Sequence, residues 1–186
     1  MFSTFTTLHF TPIGLALCIA APLLLAFVIW LVGRSVPPAE RVPGAGVGGL
    51  LLVLLLVLAI KAGFSLFEFV RQGEEVVRVI SVDSSFAWPA IKSTLPAFIN
   101  TCAVVSALVL LTVGRSRGAM MTALVAIWVM GPGEDLLKML ILGVPFSLTK
   151  GFAGISFFTI LSTLYLLFSV RSARTYGLGS HWLRYK

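Results

Sequence analysis

Apolar and polar positions in this chain come in long blocks rather than in short alternation. Five apolar segments cover roughly 11–33, 46–70, 95–114, 118–144 and 152–170. Each can cross a hydrocarbon core of about 30 Å at about 1.5 Å per residue. A segment surrounded by lipid must satisfy its backbone hydrogen bonds internally, so the pattern predicts helices. The expected fold is an all-α integral membrane protein with five transmembrane helices, the fourth interrupted at Gly131-Pro132-Gly133. The whole chain, 1–186, reads as one membrane domain: 1–45 holds the first span and a linker, and 178–186 is a basic tail.

The connections between blocks differ in kind. "GRSVPPAERVP" (33–43) is a polar, proline-rich link. "RQGEEVVRVISVDSSFAWPAIKST" (71–94) reads as the only long loop. "RSR" (115–117) predicts a tight turn, which makes the third and fourth spans an antiparallel hairpin, and "PFSLTK" (145–150) is short. No period of 20–50 residues repeats.

Composition sharpens the class. Hydrophobic residues make up 58% of the chain, mean hydropathy is +1.02 and charged residues reach only 11%, against about 25% in ordinary soluble domains. The net charge of +7 would suggest nucleic acid in a soluble protein. Here the basic residues flank apolar blocks, where orientation signals and contacts with anionic lipid belong. Nucleic acid is not an expected partner. Arg34, Arg41, Arg115, Arg117, Arg171, Arg174, Arg184 and Lys186 fall on one side of the predicted membrane; Arg71, Arg78, Lys92 and Lys150 fall on the other. The richer side should be cytoplasmic. That places the N-terminus outside and the C-terminus inside, a multi-pass topology. "MFSTFTTLHF" carries no Lys or Arg, and the long apolar run after it reads as a retained span rather than a signal peptide.

The last span ends "LYLLFSVRSARTYG". Tyr165, Ser169, Arg171, Thr175 and Tyr176 make the pattern Y-x-x-x-S-x-R-x-x-x-T-aromatic, and the second span opens "GVGGLLLVLLL". These features resemble the YdgK-like family of small bacterial inner-membrane proteins, a domain of unknown function. The resemblance covers roughly 46–177 and implies a four-helix core with both ends cytoplasmic. It implies no activity.

Charge inside an apolar span costs about 2.5–3.5 kcal/mol on insertion scales, so each such residue needs a reason. Lys61 lies 15 residues beyond Gly46, and Glu134 lies 16 beyond Gly118. Both spans run outward, so both residues sit about 22–24 Å from the inner boundary. Asn100, five residues into a span running inward, is about 8 Å below the outer boundary. Lys61, Asn100, Glu134, Asp135 and Lys138 are therefore candidates for one polar cluster in the outer leaflet, as a ligand or ion site or as a buried ion pair. A contact of Lys61 with Glu134 or Asp135 is expected, because pairing lowers the insertion cost.

"MGPGEDLLK" explains how such a cluster could be built. Pro132 removes a backbone donor, and Gly131 and Gly133 permit non-helical angles. Glu134 and Asp135 then occupy the first turn of a new half-helix, where carboxylates are favoured. Lys138 follows Glu134 at i,i+4. Broken helices of this kind line substrate and ion sites in many transporters. The same residues also fit a fourth span ending near Met130, with "EDLLKMLILGV" lying along the outer surface.

Other chemistry finds no support. Cys18 and Cys102 sit in apolar runs without CxxC spacing and read as small packing residues. His9 and His181 fall on opposite sides of the membrane, which excludes a bis-His haem. No metal site, cofactor or hydrolase, kinase or protease motif occurs, so an enzyme is not expected. The first function class is an accessory or structural subunit of a larger membrane assembly, with another membrane protein as partner. The alternative is a small transporter or ligand-binding membrane protein using the outer-leaflet cluster.

Overall fold

A computed structural model describes residues 12–39, 45–145 and 150–177, with side chains from Leu24 onward in the first helix and from Phe152 onward in the sixth. Arg41, the 146–149 connection and the basic tail 178–186, with His181, Trp182, Arg184 and Lys186, lie outside the described residues, as does His9. Among the described residues all regular structure is helical. In chain order the helices are α1 Pro12–Ser35, α2 Leu50–Val82, α3 Ala87–Val113, α4 Arg117–Met130, α5 Pro132–Leu142, α6 Lys150–Phe168 and α7 Val170–Tyr176.

Two described helices, α2 and α3, are long and apolar enough to cross a membrane, and α6 with α7 makes a third if that bent pair is one span. Among the described residues five membrane-spanning helices are therefore not supported. The fourth apolar block is divided at Gly131 into α4, of 14 residues, and α5, of 11. Alone, α4 would reach only about 21 Å. The last block bends by 68° between α6 and α7.

The long loop expected at 71–94 is also absent. α2 continues through it for 33 residues in all, about 50 Å. "RQGEEVVR" supplies mostly good helix formers, and Gln72 donates to Glu68 one turn earlier at 3.5 Å. The chain reverses at Asp83, whose Oδ1 accepts the Ser85 N–H at 2.8 Å. That backbone bond, ahead of the Ser85 side chain, holds the exposed Asp83 carboxyl below its ordinary range. Pro89 falls in the first turn of α3, where its missing N–H is no loss. α2 and α3 thus form one long antiparallel hairpin.

Helix α3 is the spine. α2 packs along one flank of it, and α4 and α5 along another, while α2 and α5 scarcely touch. Leu51, Leu55 and Leu58 on α2, Val104, Ala107 and Leu111 on α3, and Met120, Ala123 and Ile127 on α4 are fully buried between them. The small residues at this seam let the backbones approach closely. Cys102 does not pack there; it is an exposed thiol on α3.

The end of the bundle expected to be cytoplasmic is closed by side chains that the sequence had marked as a motif. The bend at Ser169 turns α7 back under the helices. Tyr176, 1% exposed, donates its hydroxyl to the Leu111 carbonyl at 2.6 Å. Thr175 Oγ1 accepts the Gly46 N–H at 2.9 Å, and its carbonyl accepts the Ala39 N–H at 3.1 Å. Arg171 reaches back to the start of α2, its Nη1 lying 2.7 Å from where a Cβ on Gly48 would stand. Arg115 is half-buried rather than free to meet lipid, and it donates to the Gly33 carbonyl at 2.8 Å, clasping the end of α1.

Candidate functional site

The opposite end is open. Above the seam, α2 and α5 diverge on either side of α3 and leave a cleft of about 490 Å³. Its α3 floor includes Ser93, Pro96, Ala97 and Asn100. Its α2 wall carries Ser65, Glu68, Gln72 and Glu75, spaced three and four residues apart on one helical face. Arg71, Val76 and Val79 also line that wall, and Glu134, Lys138 and Leu142 face it from α5.

Glu134 organises the floor. Its Oε2 accepts from Asn100 Nδ2 at 2.9 Å, and its Oε1 accepts from Lys138 Nζ at 2.7 Å. The Glu134 side chain is 20% exposed and that of Lys138 43%, so the pair bridges the interior and the opening. The first turn of α5 is a favourable place for the carboxylate, beside free backbone N–H groups and the positive end of the helix dipole. Asn100, 8% exposed, spends its amide nitrogen on Glu134. Its Oδ1 is buried and takes no hydrogen bond.

The break beneath Glu134 depends on glycine by close approach. Gly131 caps α4 by donating to the Ile127 carbonyl at 3.1 Å, and its own carbonyl accepts the Glu134 N–H at 3.2 Å. Pro132 opens α5 without needing a donor. Gly131 is buried. A Cβ on it would overlap Thr159 Oγ1 of α6 and lie 3.1 Å from the Ile127 carbonyl oxygen. A Cβ on Gly133 would meet the Trp128 carbonyl oxygen at 2.8 Å. The break is packed among helices, and α5 continues along α3 rather than leaving it.

Of the five polar residues expected to cluster, Asn100, Glu134 and Lys138 come together. Asp135 is half-buried on α5 and does not line the cleft. Lys61 is half-buried on α2 and forms no ion pair with Glu134 or Asp135, because Glu134 is taken by Asn100 and Lys138. Register explains the difference. Ser65 Oγ and Thr101 Oγ1 are 2.8 Å apart, which sets Asn100 level with Ser65 and the turn above it. Lys61 is four residues lower, about 6 Å, and α3 stands between it and α5.

Arg71, Gln72 and Glu75 were missed because 71–94 read as a loop, whereas Glu68 lies in the second apolar block as a charged residue nearer the outer surface; extending the helical spacing beyond residue 70 would have placed Gln72 and Glu75 on Ser65's face. Among the described residues no group of three or more His, Cys, Asp or Glu side chains is placed to hold a metal ion. Comparisons with models of known families, with curated proteins and with solved structures found no match to this chain.

Proposed function

We propose that this is a small multi-span membrane protein that binds a small amine-bearing ligand in the cleft between α2, α3 and α5, either to transport it or to sense it. The carrying observation is the charged lining of the cleft: Glu68, Glu75 and Glu134 stand against Arg71 and Lys138, an excess of one negative charge (three less two). An ammonium group can be balanced by the surplus carboxylate. A carboxylate elsewhere on the ligand would find Arg71.

The proposal includes the finer membrane reading: five crossings, with the fourth made of α4 and α5 and the last ending at the α6–α7 bend. It also includes a bacterial inner-membrane location, N-terminus outside, C-terminus and anionic lipid contacts inside, and kinship with the YdgK-like family. The cleft would then open outward. The test is thermal unfolding in mild detergent against a panel of amino acids and diamines. A binder should stabilise the wild type by RT ln(1 + [L]/Kd) and lose that effect in Asn100→Leu and Glu134→Gln. A flat response across the panel from folded wild type would remove the ligand reading.

The accessory-subunit reading is favoured by a different observation. The far end of the α2–α3 hairpin, beyond the apolar part of either helix, exposes Val77, Val82, Phe86 and Trp88. Apolar residues on an otherwise polar projection suit a partner membrane protein. Stoichiometric co-purification abolished by Phe86→Ser with Trp88→Ser would support that reading over the first.

A further inference from the structure

The other side of the α4–α5 break faces α6, away from the cleft. Hydroxyls in an apolar helix ordinarily bond the carbonyl one turn back. Ser162 and Thr163 of α6 do this, donating to Phe158 O at 2.7 Å and Thr159 O at 2.8 Å. Thr101 and Thr112 of α3 do the same, at 2.8 Å and 2.7 Å. Ser156 and Thr159 do not. Thr159 is 0% exposed, and neither its Oγ1 nor the buried Oγ of Ser156 has a partner. The two lie three residues apart, on one face of α6. Thr159 Oγ1 points at Gly131 so closely that no side chain fits between them.

Thr159 faces the end of α4, and Ser156 lies one turn before it on the same side of α6. Pro132 has no N–H to continue the hydrogen-bond ladder onto the Trp128 carbonyl, so the last turn of α4 offers carbonyl oxygens at the negative end of its dipole. Asp135 stands in the first turn of α5 and is in no ion pair, the pair there being Lys138 with Glu134. The groups the break offers are thus all oxygen: two buried hydroxyls, terminal carbonyls and the carboxylate on the first turn of α5. Hard cations take oxygen ligands. One carboxylate balances a single positive charge, and the absence of a larger acid or His/Cys cluster among the described residues argues against a divalent or transition metal.

We propose that the α4–α5 break, closed by Ser156 and Thr159, binds a monovalent hard cation of the Na+ class. The site shares α5 with the cleft: Glu134 serves the α3 side, and the break serves the α6 side. Occupancy of the break would fix the start of α5, and with it the position of Glu134. Discontinuous helices that present carbonyl ends to a coupling ion beside a substrate site use the same physics. The inference does not rest on the amine ligand.

The test uses the full chain in mild detergent and no organic ligand. Unfolding is followed while NaCl replaces choline chloride at constant ionic strength, with KCl in parallel. Trp128, which donates to Thr163 at 3.1 Å beside the break, gives a local fluorescence signal. Saturating Na+ should raise the unfolding temperature by roughly 5 °C, and choline should not. Thr159→Val should abolish the Na+ shift without lowering stability in choline, since it swaps an unpartnered hydroxyl for a methyl of similar shape. Ser156→Ala should weaken the shift as a second, independent arm. An unfolding temperature that is the same in Na+ and choline, as a buried water alone would give, would overturn the proposal. A full Na+ shift surviving in Thr159→Val would also overturn it.

Discussion

Gly131→Ala is the substitution that most sharply separates close packing from ordinary helix propensity. In a helix interior alanine is favoured over glycine by about 1 kcal/mol, so a continuous helix through residue 131 would be stabilised by the change. Packing predicts the reverse. The added methyl would overlap Thr159 Oγ1, press on the Ile127 carbonyl oxygen at 3.1 Å and touch Ile155 Cγ2 at 3.5 Å. Thr159 is fully buried and cannot swing away. Overpacking of this kind costs about 1–3 kcal/mol, which in a chain of this size lowers the unfolding temperature by roughly 2–12 °C. Gly63 is the control, since nothing lies within 4 Å of a Cβ placed on it, and Gly63→Ala should be neutral or stabilising by up to about 1 kcal/mol. The assay is detergent-solubilised thermal unfolding of both variants and of the Gly131→Ala, Thr159→Ala double mutant. Removing Thr159 Oγ1 should recover part of the loss, a coupling of about 0.5–3 kcal/mol. If Gly131→Ala is as stable as wild type, or the double mutant recovers nothing, the packed break is wrong.

Two further outcomes follow from the ends of the bundle. Tyr176→Phe deletes the 2.6 Å hydroxyl bond to Leu111 and should cost about 0.5–1.5 kcal/mol, seen as faster amide exchange confined to α7 and the adjoining α1–α2 link. Asp83 gives a pH effect. Its carboxyl is held below the ordinary 3.8 by the Ser85 backbone bond, so its contribution is present above that value. The contribution fades as pH falls below 3.8 toward the lower native value. Asp83→Asn should flatten that acid limb of the unfolding curve; an unchanged limb would show that the cap contributes nothing.

Helical class, the apolar blocks and the break at Gly131 were legible because each has a local cause: block hydrophobicity, a missing proline donor and paired glycines. The shared level of Asn100 and Glu134 followed from counting residues along two spans. Lys61 failed the same count because α2 and α5 lie on different flanks of α3, and depth says nothing about which flank a residue occupies. Residues 71–82 read as loop because they fall between apolar blocks; Glu, Gln and Arg are good helix formers, and the helix runs on above the apolar block. The bend at Ser169 had no local signal of comparable strength, having neither Gly nor Pro. It is held by tertiary contacts of Thr175 and Tyr176 that no short-range pattern encodes. Ser156 and Thr159 looked like other membrane hydroxyls until their neighbours were known.

The central claim is a polar cleft that opens outward beside the break. It is tested most directly by placing one cysteine on the cleft floor, Ser93→Cys, in a chain whose Cys18 and Cys102 are replaced by Ala. Labelling intact cells with a membrane-impermeant maleimide should modify Cys at position 93 from outside, and an amine that stabilises the protein should slow the reaction. Labelling only after the cells are permeabilised would contradict the account.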